Sequence, residues 1–211
     1  MNELKVKQAL HKIFNLEEKG CHLTLHHSQS VLASKGAKRA HLISKEHAEN
    51  VTVVACVSVS GQAIPPIIIF KGLRNLDTFN DNLPPGSVVE MSVKGSMTKE
   101  LFLKWIHYFA KSKTPSTVLL ILDGASCHMD IGVFDLAKMY QISILCLPSK
   151  TTHELQPLDK AVFRSFEHFW ESELLKYWEQ NPSVTEWVTG IEHTKWVQIH
   201  WNILLRPISY S

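Results

Sequence analysis

Apolar and polar positions change period several times along this 211-residue chain, and each change predicts an element. Residues 11–20, HKIFNLEEKG, read as a short strand running into an acidic turn, and 21–25, CHLTL, alternate as a second strand. A basic, Gly-containing connection, 33–41, leads to VTVVACVSVSG at 51–61, a β-branched strand closed by Ser60-Gly61. AIPPIIIFKG, 63–72, is another apolar run, and Pro65-Pro66 put its start at a sheet edge. Residues 72–97, with Pro84-Pro85-Gly86, read as a loop excursion. Thr98 is a good N-cap with Glu100 in the first turn, and Leu101, Phe102, Trp105, Ile106 and Phe109 follow at helical spacing. Pro115 separates this helix from a strand at 117–122; 130–140 fits a short helix and 142–148 a buried strand ended by Pro148. Past a polar loop, 149–157, the positions Leu158, Val162, Phe163, Phe166, Phe169, Trp170, Leu174 and Tyr177 make one long amphipathic helix that Pro182 ends. Antiparallel-compatible strands followed by alternating helices and strands predict an α/β fold on a mixed sheet.

Composition narrows the picture only a little. At 45% hydrophobic and 20% charged the chain is globular, and a net charge of +2 neither requires nor excludes nucleic acid. Four scattered cysteines form no CxxC pair; Cys56 and Cys146 sit in apolar runs and read as buried thiols of a reducing compartment. The group Cys21, His22, His26 and His27 lacks the paired spacing of a structural zinc site. There is no secretory signal and no apolar run of ~18 residues.

Chemistry enters at the element ends. The buried strand VLLIL runs into Asp123, and open α/β sheets put their reactive groups at the carboxyl ends of strands. Taken singly, Asp123 is an ordinary turn or cap residue. Glu17 ends the first strand, beside Glu18, which faces the other way on a strand. Asp159 begins the last long helix, with 35 residues between it and Asp123. Three acids at such positions can converge on one side of a sheet. Converging carboxylates suit hard cations such as Mg2+, and two ions about 3.5–4 Å apart can clamp an in-line phosphoryl displacement.

At these residues the chain resembles the DDE-superfamily endonuclease domain of pogo/Tigger/jerky-type, mariner-like transposases. The matching stretches are FNLEEKG (14–20), VTVVACVSVSGQAIPPIIIFKG (51–72), LLILDGASCH (119–128) and LPSKTTHELQPLDKAVFRSF (147–166). The resemblance implies a ribonuclease-H-like fold, metal-dependent cutting and joining of DNA, and a nuclear setting. It makes Asp123 the second catalytic acid and Asp159 the third, with Mg2+ or Mn2+ as cofactor. The family's first acid is an Asp in an Asn-x-Asp-Glu pattern. Here the pattern is Asn15-Leu16-Glu17-Glu18, so Glu17 takes that place. Glu adds one C–C bond, about 1.5 Å, whereas reactive geometry must hold to roughly 0.5 Å. An impaired enzyme follows as the expectation, with a non-catalytic DNA- or protein-binding domain on the same scaffold as its alternative. A ribonuclease acting on RNA is a third reading, against which Gln156-Pro157-Leu158-Asp159 argues.

Residues 1–10 read as a short leader, 11–180 as the endonuclease domain and 181–211 as a divergent tail, as expected of a partial transposase copy. With about ten residues before the first strand, recognition of a specific DNA sequence is not expected. DNA is the expected partner, with neither a membrane nor a small-molecule substrate. Lys160 and Arg164, flanking Asp159, are the favoured phosphate contacts, with Lys150, Lys38 and Arg39 after them. His128 is read as a substrate contact, a support for the metal site or a surface residue.

Overall fold

The computed structural model describes residues 9–22, 50–73, 77–80, 83–148 and 155–180. Its strands are β1 (Ile13–His22), β2 (Asn50–Ser58), β3 (Ala63–Lys71), β4 (Val88–Ser92), β5 (Val118–Leu122) and β6 (Ile142–Cys146). They form one mixed sheet in the order β4-β3-β2-β1-β5-β6. β1, β2 and β3 are antiparallel neighbours, while β4 adds parallel to β3, β5 parallel to β1 and β6 parallel to β5.

Period-two alternation then sorts the side chains. Phe14, Leu16, Val118, Leu120 and Leu122 belong to one core, with Phe102, Trp105, Ile106 and Phe109 of helix α1 (Lys99–Ser112) and Val133 and Ala137 of α2 (Ile131–Met139). Cys21, Val53, Ala55, Ile68 and Phe70 form the other, with Phe163, Phe166, Trp170 and Leu174. Those partners belong to a π-helical turn, Asp159–Phe163, and to α3 (Arg164–Gln180), which continues it. Thr98 caps α1 as expected, accepting from the Leu101 N–H at 3.3 Å, and Asp130 caps α2 in the same way through Gly132 N–H.

Several expectations need correction. The strand, acidic turn and second strand predicted over 11–25 are one strand as far as His22. β2 offers an unbroken antiparallel partner from Phe14↔Ser58 to His22↔Asn50, and that ladder overrides the weak strand preference of Glu17, Glu18 and Gly20. The loop expected over 72–97 contains β4, too short after Pro84-Pro85-Gly86 to stand out. β3 is interior rather than an edge strand. Its prolines are tolerated because pairing with β4 starts only at Ile67, and because the ladder to β2 carries a bulge at that level. Of the two thiols read as buried, Cys56 is buried and Cys146 only partly so.

Trp105, 1% exposed, stacks between Phe102 and Phe109 at ring-centroid distances of 5.7 and 5.0 Å. Trp105→Ala is expected to cost about 3–5 kcal/mol in chemical denaturation, against about 1 kcal/mol for Thr98→Ala, which removes only a helix cap.

Candidate active site

β5 ends at Leu122 and Asp123 leaves the sheet. The ordinary reading of this acid holds in part: its Oδ1 accepts from the Ala125 N–H at 3.2 Å, closing a turn. That turn also brings back His128, whose Nδ1 lies 2.8 Å from the same Oδ1. His128 is not a surface residue. It is 3% exposed, its ring sits 4.3 Å from that of Phe102, and its Nε2 reaches Glu18 Oε1 at 2.9 Å. Burial alone would depress the imidazole, but its bonds to Asp123, Cys127 and Glu18 prevail and push its pKa up to about 12. The imidazolium in turn holds Asp123 below the usual carboxylate range.

The neighbours Glu17 and Glu18 separate onto opposite faces of β1. Glu18 lies on the α1 side, where it meets His128. Glu17 lies on the α3 side, where Gln156 Nε2 donates to its Oε2. Parallel pairing of β1 with β5 runs from Ile13↔Leu119 to Asn15↔Ile121. Carried two residues further, the same offset sets Glu17 level with Asp123. Glu17 therefore does not end its strand, contrary to the expectation from the sequence; it sits where the neighbouring strand leaves. Burial, then the charge of Asp159, with Asp123 and Glu18 adding, pushes the Glu17 carboxyl from an ordinary 4.5 up to about 8.

Asp159 opens the π-helical turn, at the helix start where the sequence places it. Its carboxyl is raised by burial; Lys19 pulls it down, and the charges of Glu167 and Asp123 push it up. Glu17 thus feels both other acids and Asp159 feels Asp123, although the three come from separate segments. Carboxylates are hard oxygen donors of the kind that Mg2+ and Mn2+ take. Lys19, which shares a face with Glu17, is bonded to Glu167 Oε1. Among the described residues, the group of three donor residues with ligand atoms within 4.8 Å of one another is Glu18, Cys127 and His128, and both nitrogens of His128 are engaged by carboxylates.

Lys160 and Arg164 are exposed beside Asp159. Lys150, Lys38 and Arg39 lie outside the described residues, as do His26 and His27. Asn15, Gln156, Lys19 and Glu167 belong to the site without being singled out by the sequence pattern. Parity alone is enough to find two of them: Asn15 and Lys19 flank Glu17 at the i±2 positions that share its face.

A pH dependence follows. In the fold Glu17 keeps a proton that the unfolded chain releases near 4.5, so without a bound cation stability falls as pH rises from there through about 8. His128 acts in the same direction, its contribution being complete below 6.5 and lost toward about 12. In chelator, the thermal midpoint is expected to drop between pH 5 and pH 8.5. Glu17→Gln should flatten that drop and leave the part due to His128.

The chain matches the DDE superfamily endonuclease family over residues 48–208, a stretch that contains Asp123 and Asp159 and begins after β1. Among curated proteins it is similar to the MFS-type transporter clz9 of Cochliobolus lunatus, 29% identical over 150 residues. That stretch is 69% of this chain and 16% of the transporter, and no described helix is long and apolar enough to cross a membrane. Among solved structures it is similar to the mariner Mos1 paired-end complex with Mg, at a TM-score of 0.55 and 12% identity over 96% of this chain and 57% of that one. The Mos1 transposase paired-end complex with left transposon end gives 0.53 and 12% over 95% and 56%. The Mos1 strand transfer complex gives 0.53 and 14% over 96% and 56%. The chain thus spans little more than half the length of these transposases. At such identity the likeness speaks for the fold alone, a ribonuclease-H-like mixed sheet flanked by helices. With the family match covering most of its length, the chain belongs to the DDE superfamily endonucleases.

Proposed function

We propose that residues 11–180 are the catalytic domain of a pogo/Tigger/jerky-type, mariner-like transposase, working on DNA in the nucleus, with Glu17, Asp123 and Asp159 as the ligands of Mg2+ or Mn2+. The observation that carries this reading is that three carboxylates from separate segments stand near the point where β5 parts from β1, where Asp159 and Asp123 both raise the Glu17 carboxyl and Asp123 raises that of Asp159. When bound, a pair of divalent ions activates the attacking oxygen of a phosphoryl transfer and stabilises the leaving one.

The chain's own residues prepare for this differently. Asp123 is kept ionised by His128, so it is ready as a ligand near neutral pH. Glu17 is the reluctant one: it holds a proton to about 8 and carries one methylene more than the family's Asp. Lys160 and Arg164 offer positive charge to DNA phosphates beside Asp159. This reading is of an enzyme slowed by its first ligand and helped by Mn2+, whose coordination is less strict than that of Mg2+. The state of Glu17 is also what favours the second reading, a non-catalytic DNA-binding domain on the same scaffold.

Plasmid nicking separates the two. Glu17→Asp is expected to raise Mn2+-supported nicking, since about 1 Å of misplacement can cost on the order of a hundredfold in rate. Asp123→Asn should abolish it. An unchanged or lower rate in Glu17→Asp would show the longer side chain to be a competent ligand and remove the impairment from the proposal. Folded, DNA-binding protein that never nicks would establish the non-catalytic reading.

DNA affinity should fall steeply with salt and show little sequence preference. Replacing Lys160 and Arg164 by Ala should reduce the slope of log K against log salt by about 1 for each phosphate that is no longer neutralised, measured by fluorescence anisotropy.

A further inference from the structure

We infer that Asn15 and Gln156 are positioning residues, a buried amide clasp that sets the three acid-bearing segments in one register. The inference rests on the reading of Glu17, Asp123 and Asp159 as metal ligands. Asn15 is 6% exposed and Gln156 fully buried. Amides so placed are costly unless every polar atom is bonded, and here every one is.

The partners are what matter. Asn15 Nδ2 donates to Ile121 O at 3.1 Å and to Gln156 Oε1 at 3.2 Å, while its Oδ1 accepts from Leu158 N–H at 3.2 Å. Gln156 Nε2 donates to Leu16 O at 2.9 Å and to Glu17 Oε2. Leu16 precedes Glu17, Ile121 stands two residues before Asp123, and Leu158 precedes Asp159. One side chain of β1 is therefore bonded to the strand that delivers the second acid and to the turn that delivers the third. Its amide partner holds the first acid directly.

Apolar packing also fastens this turn, through Leu158, Val162 and Phe163. That attraction is non-directional and does not select one placement of a carboxylate within roughly 0.5 Å. Hydrogen bonds of fixed length and direction do. A lone buried Asn fixing the register of a coiled coil is the same device.

The test compares Asn15→Leu and Gln156→Met, near-isosteric changes that remove the bonds, with Trp170→Leu, a control in the same apolar core. Two readouts are taken at matched stability: Mn2+ affinity by electron paramagnetic resonance, and hydrogen exchange at the Leu158 amide. Groups that orient metal ligands typically cost 10–100-fold in metal affinity when lost. Both clasp variants are expected to weaken Mn2+ binding by roughly 10–100-fold with faster Leu158 exchange in Asn15→Leu, and the control to leave both unchanged. Wild-type Mn2+ affinity in both variants, or an equal loss in the control, would overturn the positioning role. Should the wild type bind no Mn2+, the ligand reading fails instead. Leu158 exchange then decides the clasp alone: faster in Asn15→Leu upholds it, unchanged overturns it. If Asn15→Leu does not fold, Gln156→Met carries both readouts.

Discussion

The sheet is held in one piece by a short seam. Four strands lie on one side of it and two on the other. Among the described residues the pairing that joins them is the parallel ladder from Ile13↔Leu119 to Asn15↔Ile121. Beyond Asn15 β1 continues against β2, while β5 ends at Leu122 and the chain turns out through Asp123. A parted pair of strands leaves backbone groups without a ladder partner, and such groups must be satisfied elsewhere when buried. Here side-chain amides take over: Ile121 O and Leu16 O, at the point of parting, are the acceptors that Asn15 and Gln156 fill. The chemistry sits where the fold had a vacancy in its hydrogen bonding.

That place also concentrates charge. The acids are distributed between two environments rather than merely crowded. On the α1 side His128, inside the core, lies between Asp123 and Glu18. Its positive charge lets one member of the acid group stay ionised in a partly buried position. On the α3 side Glu17 has an amide donor but, among the described residues, no cation bonded to it, Lys19 being engaged by Glu167. The imbalance is local, and a multiply charged cation would relieve it.

Much of this is legible in the residues and some is not. Helix α1 follows from a cap and a 3.6-residue period, and β5 from an unbroken apolar run; both depend on neighbours close in sequence. Asp123 and Asp159 can be found because each stands at a change of period. Whether Glu17 or Glu18 turns toward them is a matter of strand parity relative to β5, a long-range relation that periodicity leaves undetermined. The continuity of β1 through Glu17–Gly20 depends in the same way on β2, which is remote in sequence. His128 looks like a polar turn residue because nothing local reveals that the turn folds back over Phe102. Gln156 can be quoted as part of a motif, but its partners are Asn15, Leu16 and Glu17, about 140 residues away.

The division of Glu17 and Glu18 between the two faces constrains how β1 can vary over evolutionary time. Side chains on a strand alternate, so a slip of one residue against β5 would move the whole set to the other face. A slip one way would put Glu18 in the place of Glu17 and Lys19 beside His128; a slip the other way would put Glu17 beside His128 and Leu16 among the acids; in both, Asn15 would face the α1 core. A substitution along this strand alters one role, whereas an inserted or deleted codon just after Ile13 shifts every role at once. The segment from Asn15 to Glu18 is therefore constrained in its length as well as in its residues.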